Sequence, residues 1–241
     1  MNQFADKTCS APPERSRRMC DLVVKHVRRD HAIRLLDVGC GTGSLVFLLA
    51  RALPDATLTG IDVSAPNISA ADAHRASLDA PTASRVRFEQ ADYMTRRAAP
   101  VEAVTSDGVL HLIPGDTRAL FAKLAADVLP GGVLVVCMPY DCAYNYAFAM
   151  LRRLLRLLRS RALDAVILKI GRLLHGAEMS DDGLRERVPY MYIPPSRLAG
   201  RRLRDTIAPS VGLRLVTTYA MPSASLSQLK HQVLVFQKQV A

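Results

Sequence analysis

The sequence predicts an α/β fold in which short buried strands alternate with helices around one mostly parallel sheet. An aliphatic run at 33–36 leads through a glycine-rich turn into an amphipathic stretch at 44–53, which is the order strand, turn, helix. Later aliphatic stretches are each followed by an aspartate. A continuous aliphatic run at 133–138 is typical of a strand that is buried on both faces.

The turn after the first strand contains Gly39, Gly41 and Gly43, and Asp37 lies two residues before the first glycine. A dinucleotide-binding turn has the spacing G-x-G-x-x-G, because a pyrophosphate rests on the helix that follows. Here the spacing is G-x-G-x-G, and the carboxylate of Asp37 would repel a pyrophosphate. The turn therefore favours a ligand with a cationic group such as an ammonium, although a tight strand-to-helix connection alone would give the same pattern.

Acidic residues follow the next three predicted strands. The strands are predicted at 56–61, 86–89 and 103–106, and the acids are Asp62, Asp92 and Asp107. An acid placed like Asp62 can bind ribose hydroxyls. Asp92 can accept a hydrogen bond from an adenine amino group while Tyr93 packs on the ring. Because parallel strands end at one edge of the sheet, these groups are expected to lie together.

Together these motifs resemble the class I S-adenosylmethionine-dependent methyltransferases over about residues 33–139. The matching segments are Leu-Asp-Val-Gly-Cys-Gly-Thr-Gly, Gly-Ile-Asp-Val-Ser, Gln-Ala-Asp and Leu-Pro-Gly-Gly-Val-Leu. The segment 106–114 with Val-Cys-Met-Pro139 looks most like the trans-aconitate methyltransferase type, which methylates small molecules. The resemblance fades after Tyr140.

The resemblance implies a Rossmann-like, seven-stranded, mostly parallel sheet with a C-terminal antiparallel hairpin and a helical lid insertion. It also implies S-adenosylmethionine as cofactor. By position, Asp37 and the glycine backbone would hold the methionine ammonium, Asp62 the ribose, and Asp92 with Tyr93 the adenine. The implied cofactor-binding set is Asp37, Gly39, Cys40, Gly41, Asp62, Val63, Ala91, Asp92, Tyr93, Asp107 and Gly108.

Residues 1–241 are expected to form a single domain with an N-terminal helical cap at 1–30 and a lid insertion at 140–195. The first twelve residues are predicted to be an arm or flap. In the resembled group an arginine-bearing helix borders the substrate pocket, which makes Arg15 and Arg17, near the start of a helix at 14–27, candidates for binding an anionic substrate group. Solvated surface arginines would give the same pattern. Other predicted elements are helices at 67–78, 117–128 (stopped by Pro130-Gly131-Gly132) and 196–208, a loop at 80–84, and strands at 213–220 and 232–238.

The insertion contains two basic amphipathic stretches, at 147–160 and 163–174. In the first, leucines recur on one face and Arg152, Arg156 and Arg159 occupy the other. This pattern predicts a helical pair that buries its leucines. Such a pair could be a lid, a dimer surface or a membrane-surface anchor. A lid is preferred, because the insertion follows the fifth strand beside the expected methyl-transfer pocket.

The net charge of +10 does not by itself indicate nucleic-acid binding, because basic patches interleaved with stacking aromatic residues are not evident. The five cysteines and six histidines show no metal-binding spacing, so no metal is expected. An odd cysteine number and the lack of a signal peptide or a spanning segment favour reduced thiols and a cytoplasmic protein. Monomer and homodimer both remain open.

The expected activity is methyl transfer to a small molecule, with O-methylation of a carboxylate or hydroxyl in a biosynthetic pathway preferred. His111 and Tyr140 are the catalytic candidates: His111 follows the fourth strand beside the sulfonium, and Tyr140 follows the fifth. His111 could equally pack against the helix at 117–128 without a catalytic role. The alternatives are a methyltransferase for a lipid-like or carrier-bound substrate and a non-catalytic S-adenosylmethionine-binding partner protein.

Overall fold

The computed structural model describes residues 13–28, 30–175, 180–222 and 228–240. Within these residues, seven strands form one sheet in the order β3-β2-β1-β4-β5-β7-β6. The strands are β1 (Arg34–Val38), β2 (Thr57–Asp62), β3 (Val86–Gln90), β4 (Val101–Asp107), β5 (Val128–Pro139), β6 (Leu213–Met221) and β7 (His231–Lys238). β7 runs antiparallel to both β5 and β6, and the other pairs are parallel. The predicted fold class is confirmed.

Helices cover both faces of the sheet. The α-helices are α1 (Pro13–His26), α2 (Ser44–Ala52), α3 (Ala65–Ala76), α4 (Ala80–Arg85), α5 (Thr117–Asp127), α6 (Ala143–Leu157), α7 (Arg161–His175), α8 (Asp181–Arg187) and α9 (Ala208–Ser210). One core packs α1 and α2 on the sheet around Met19 and Leu49, and the other packs α5 around Phe121. The predicted arm at 1–12 lies outside the described residues.

The sheet reverses its order between β1 and β4. The chain moves outward from β1 through β2 to β3, then returns to place β4 on the other side of β1. Leu36 of β1 pairs with Val104 of β4 in parallel register. Loops that follow two such strands diverge and leave a crevice, which is where open α/β sheets bind their ligands.

Two predictions around the middle of the chain were wrong. Residues 80–84 are helical rather than a loop, because the Asp79 side chain accepts a hydrogen bond from the Thr82 amide at 2.9 Å and caps α4. The helix at 117–128 ends at Asp127, and β5 begins at once, before Pro130. Residues 129–132 bulge within that strand, where a side chain on Gly132 would meet the Glu102 carbonyl at 2.6 Å.

The helix predicted at 196–208 begins later, because Ser196 and Arg197 are bound to a distant loop. Ser196 donates its amide and hydroxyl to the His111 carbonyl, both at 2.8 Å. Arg197, which is buried, donates to the carbonyls of Leu110 and Gly115. Helical structure starts at 201, includes a π-helical turn at Leu203–Ile207, and ends with α9.

Asn145 fastens the start of the insertion to the strand that ends the chain. Its side chain is fully buried, and its Nδ2 donates to the carbonyls of Tyr140 at 2.6 Å and Lys230 at 2.8 Å. Its Oδ1 accepts from the Lys230 amide at 2.8 Å. The three hydrogen bonds fix the position of His231, the next residue along β7.

We expect Asn145→Ala to lower the free energy of unfolding by roughly 2–4 kcal/mol, because a buried polar group left without a partner costs about 1–3 kcal/mol. Urea denaturation followed by circular dichroism measures this change. The neighbouring Tyr146 is exposed, so Tyr146→Ala is a matched control that should change stability by less than about 0.5 kcal/mol. If the two substitutions lowered the free energy of unfolding equally, the Asn145 hydrogen bonds would not contribute to stability as expected.

Candidate active site

A cavity of about 1330 Å³ opens at the carboxyl ends of β1, β2 and β4, beneath α6 and α7. Pockets for a single drug-sized ligand have volumes of about 300–1,000 Å³. The cavity therefore has room for a cofactor and a second molecule. Every member of the cofactor-binding set predicted from the sequence lines it: Asp37, Gly39, Cys40, Gly41, Asp62, Val63, Ala91, Asp92, Tyr93, Asp107 and Gly108.

The glycine turn is held in a conformation that favours glycine at three positions. Gly39, Gly41 and Gly43 have φ of 75°, 54° and 85°. A side chain on Gly39 would also overlap Val109, whose nearest atom lies 2.5 Å from the position of the missing Cβ. The amides of Gly39 and Cys40 both donate to the Ile61 carbonyl, so the turn is tied to the end of β2.

Asp62 also supports this turn. One carboxylate oxygen accepts from the Gly41 amide at 2.9 Å and the other accepts from the Ser64 amide at 2.8 Å. Each oxygen of a carboxylate can accept more than one hydrogen bond. Asp62 can therefore hold the loop and still bind hydroxyl groups of a ligand in the cavity.

Asp37 is a carboxyl group kept from solvent beside other acids. Its side chain is 2% exposed, and its Oδ1 is buried without a hydrogen-bond partner. Burial, followed by the charges of Asp107 and Asp62, raises the pKa of Asp37 well above its usual value. A cation placed here would relieve that cost, so the residue suits an ammonium or sulfonium group.

Asp107 is paired with Arg15 from α1, which the sequence did not predict. Arg15 donates from Nε to Asp107 Oδ1 at 2.7 Å, and its Nη2 also lies 2.6 Å from that oxygen. Gly108 has φ 70°, and a side chain there would overlap Arg15. Of the two arginines predicted to bind an anionic substrate, Arg15 lines the cavity but is held by Asp107, and Arg17 is exposed away from it.

At the adenine end of the predicted site, Asp92 is exposed and accepts from the Met94 amide at 2.9 Å. Tyr93 is buried, with the Lys123 ammonium 4.7 Å from its ring centre. Burial, followed by the nearby Asp127 carboxylate, raises the pKa of the Tyr93 hydroxyl. The phenol is therefore neutral, and its ring can form an apolar wall.

Two histidines meet at the opposite end of the cavity. The rings of His111 and His231 are 5.6 Å apart between centres in an edge-to-face arrangement. Burial lowers the pKa of both, that of His231 to about 3, and the charges of Arg15 and Arg152 lower both further. The Nδ1 of His111 is buried without a partner, whereas the Nδ1 of His231 donates to the Leu229 carbonyl at 2.7 Å. Both imidazoles are therefore neutral at pH 7.

Tyr140, the second catalytic candidate from the sequence, does not line this cavity. It forms a bridge with Ala199 and lines a separate, smaller cavity of about 330 Å³, not the large one. β5 runs on to Pro139, and Tyr140 is thereby carried past the crevice. The structure thus brings His111 together with the cofactor-binding set but does not bring Tyr140 there.

The first helix of the insertion does not bury its leucine face as the sequence predicted. Arg152, expected in solvent, turns inward and lines the cavity, while Leu151, Leu154 and Leu158 are 44–68% exposed. The inward face of α6 instead carries Asn145, Ala149 and Arg152, because Asn145 must reach the backbone of β7. Arg152 and His231 are the residues that sequence reasoning missed; the spacing of Asn145, Ala149 and Arg152 on one helical face was the available signal.

A family model described as a methyltransferase domain matches residues 36–134. The trans-aconitate 2-methyltransferase of Azoarcus sp. (strain BH72) is 35% identical over 131 residues, which cover 53% of this chain and 48% of the relative. An uncharacterized methyltransferase of Mycobacterium bovis is 40% identical over 104 residues, which cover 42% of this chain and 48% of the relative. Residues 36–134 of the chain thus match a methyltransferase domain, and curated methyltransferases resemble this part of the chain at 35–40% identity.

A solved structure of similar fold covers most of the chain. The 1,6-didemethyltoxoflavin-N1-methyltransferase of Burkholderia thailandensis was crystallised with its substrate and S-adenosylhomocysteine. It superposes with a TM-score of 0.61 at 15% identity, over 94% of this chain and 79% of that one. By contrast, the chain spans about half the length of the curated relatives that it matches.

The methyltransferase-domain match makes S-adenosylmethionine the cofactor whose fit to the cavity has to be tested. The cavity fits this cofactor on physical grounds, because Asp37 offers a buried oxygen without a hydrogen-bond partner beside the carboxylates of Asp62 and Asp107. Such a cluster attracts a ligand with a sulfonium and an ammonium group and would repel the phosphates of a dinucleotide. Among the described residues, no group of three or more histidine, cysteine, aspartate or glutamate side chains is arranged to bind a metal ion.

Proposed function

We propose that this chain transfers the methyl group of S-adenosylmethionine to an oxygen of a small molecule, and that the oxygen belongs to a carboxylate. The observation that carries this proposal is the basic end of the cavity, where Arg152 and two neutral histidines face the Asp107 side. In this proposal, Asp37 binds the ammonium, Asp62 the ribose, Asp92 and Tyr93 the adenine, and Asp107 and Gly108 border the sulfonium.

The depressed histidine pKa values favour a carboxylate over a hydroxyl as the nucleophile. A phenol or alcohol must lose a proton, and a base whose pKa lies well below that of free histidine removes it poorly. A carboxylate is already ionised at pH 7 and needs no base. When bound, the cofactor supplies an activated methyl group, so the chain mainly has to orient the oxygen and exclude water. His111 would hold the carboxylate through a hydrogen bond.

A substrate screen with methyl-labelled cofactor tests this proposal. Each carboxylic acid is paired with the alcohol of the same chain, and both products are treated with alkali. A methyl ester releases labelled methanol, whereas a methyl ether does not. We expect label only with the acids, and only in the alkali-labile form. Label in an ether would contradict carboxylate methylation, and S-adenosylmethionine binding with no turnover on any substrate would favour a non-catalytic binding protein.

The pH dependence separates the two kinds of nucleophile further. Because burial keeps both histidines neutral from pH 8 down to well below the usual histidine pKa, kcat/KM for an acid should stay constant between about pH 6 and 8. As the pH is lowered, kcat/KM should decline only when the substrate carboxylate or His111 becomes protonated. Initial rates in constant-ionic-strength buffers measure this profile. An acid limb with a midpoint near 6.5 would instead show that an ordinary histidine must be deprotonated.

A further inference from the structure

Arg152 is a partly buried cation that lines the cavity and forms no ion pair with the described residues. Its Nη1 donates to the Ile193 carbonyl at 3.1 Å, and its guanidinium carbon lies 4.8 Å from the centre of the Phe148 ring. Its Nε is buried without a hydrogen-bond partner. No carboxylate forms an ion pair with it in the part of the chain that the structure describes. Burial lowers its pKa to about 10, so it remains charged at pH 7.

The position of this cation relates it to the methyl-transfer end of the cavity. The charge of Arg152 acts on both His111 and His231, and the charge of Arg15 acts on the same two rings. Arg15 in turn contacts Asp107. Arg152, His111, His231 and Asp107 all line the same cavity, so an anionic group bound by Arg152 shares that cavity with the two histidines.

The remainder of the cavity wall around Arg152 is aliphatic. Side chains from α6 and α7 line it: Leu151, Leu155, Val166, Ile167, Ile170 and Leu174. On α7 they recur at the spacing of one helical face. Several are about half exposed, between 44% for Leu151 and 55% for Leu174, so no other part of the described chain covers them. Exposed apolar surface of this kind marks a binding groove.

We propose that the substrate is an amphiphilic carboxylate, with its head group at Arg152 and His111 and its aliphatic chain along the groove between α6 and α7. The inference rests on the proposed function for the chemistry of the head group. The positive charge of Arg152 favours a ligand with a carboxylate. The aliphatic wall favours a ligand that also has a hydrocarbon chain. A small polyanion could pair with Arg152 and other cavity arginines, but it would leave the aliphatic wall exposed.

Calorimetry with the full chain and S-adenosylhomocysteine tests the inference without turnover. The probes are hexanoate, octanoate, decanoate and dodecanoate below their micelle concentrations, together with the matching alcohols. Each added methylene that is buried should tighten binding about fourfold, the equivalent of ~0.8 kcal/mol. Dodecanoate should bind more tightly than dodecanol. Affinity that does not depend on chain length, or a short tricarboxylate that binds more tightly than dodecanoate, would overturn the proposal.

Variants assign the two ends of the ligand. Arg152→Met should weaken dodecanoate at least tenfold and leave dodecanol and S-adenosylhomocysteine unchanged, and unchanged S-adenosylhomocysteine binding also shows that the variant is folded. Arg152→Lys keeps the positive charge, so it should reduce the affinity for dodecanoate less than Arg152→Met does. Arg153 is exposed and does not line the cavity, so Arg153→Met is the matched control and should bind like the parent protein. Ile170→Ser should reduce the gain per methylene. Equal effects at Arg152 and Arg153 would refute the head-group assignment.

These measurements keep the two proposals separate. If long-chain acids bind as described but no methyl group is transferred to any acid, the proposed function fails and the binding site stands. If acids are methylated at rates that do not depend on chain length, the proposed function stands and the amphiphilic substrate is refuted.

Discussion

The Asp37→Asn variant should bind S-adenosylmethionine and S-adenosylhomocysteine at least tenfold more weakly and yet be more stable than the parent protein without ligand. A hydrogen bond to a charged group contributes about 1.5–3 kcal/mol, and the amide offers the ligand ammonium no negative charge. Without ligand, the same exchange removes a buried carboxyl that lies beside Asp62 and Asp107.

The stability gain of this variant should depend on pH. Because the folded-state pKa of Asp37 is raised, the wild-type carboxyl adds stability below the unfolded pKa of about 3.9, and that stability is lost as the pH rises through the folded pKa. Asn should therefore stabilise at pH 7 and give little gain near pH 4. Thermal melts at the two pH values and calorimetry with S-adenosylhomocysteine measure both effects.

An exposed acid provides the control for these measurements. Asp55 lies outside the cavity, so Asp55→Asn should change neither ligand affinity nor stability appreciably. Normal cofactor affinity in Asp37→Asn would remove Asp37 from the proposed site. Loss of affinity together with lower stability at pH 7 would show that the carboxyl is needed for folding rather than for binding.

Replacement of residues 147–174 by a glycine–serine linker should abolish turnover and preserve cofactor binding. The proposed cofactor-binding residues lie at the ends of β1, β2 and β4 and in the loops after the first four strands, and they therefore remain, whereas Arg152 and the aliphatic wall are removed. Without that wall, water enters and the nucleophile is no longer held against the methyl group. Methyl transfer from labelled cofactor and calorimetry with S-adenosylhomocysteine give the two readouts.

A point variant controls for the exposed part of the same helices. Leu157 and Leu173 are 82% and 85% exposed and do not line the cavity, so Leu157→Ser and Leu173→Ser should retain turnover. If α6 and α7 close over bound ligands, their amides should also exchange more slowly when cofactor and substrate are both present. Normal turnover in the linker variant would refute the lid and favour a dimer or membrane role for the two helices.

The cofactor side of the cavity could be predicted because its geometry is local. Asp37 lies near the end of one strand, the three glycines follow that strand, and Asp62 ends the neighbouring strand. Strand order and the glycine turn therefore suffice to bring them together. The pairing of Arg15 with Asp107, in contrast, depends on tertiary packing. The sequence marked both residues as ligand contacts, but only the packing of α1 against β4 and β5 makes them partners.

The substrate side could not be predicted because backbone hydrogen bonds from distant residues override helical periodicity. The leucine stripe of α6 predicted which face would be buried, yet Asn145 turns that face outward to reach Lys230, 85 positions further along the chain. In the same way, the hydrogen bonds of Ser196 and Arg197 to the loop at 110–115 make the following helix begin at 201 instead of 196. No local pattern in the sequence reports such partners.

The position of β7 inside the sheet affects the order in which parts of the protein can fold during synthesis. β7 lies between β5 and β6, so β6 has no strand to join until β7, which follows it in the chain, has been made. The glycine turn and the loops after β2 and β3 leave the ribosome well before His231, and they can assemble while the opposite wall does not yet exist. Until then the aliphatic edge of β5 stays open to other chains. In a nascent chain, the glycine-turn side of the cavity can thus form before the side that contains His231.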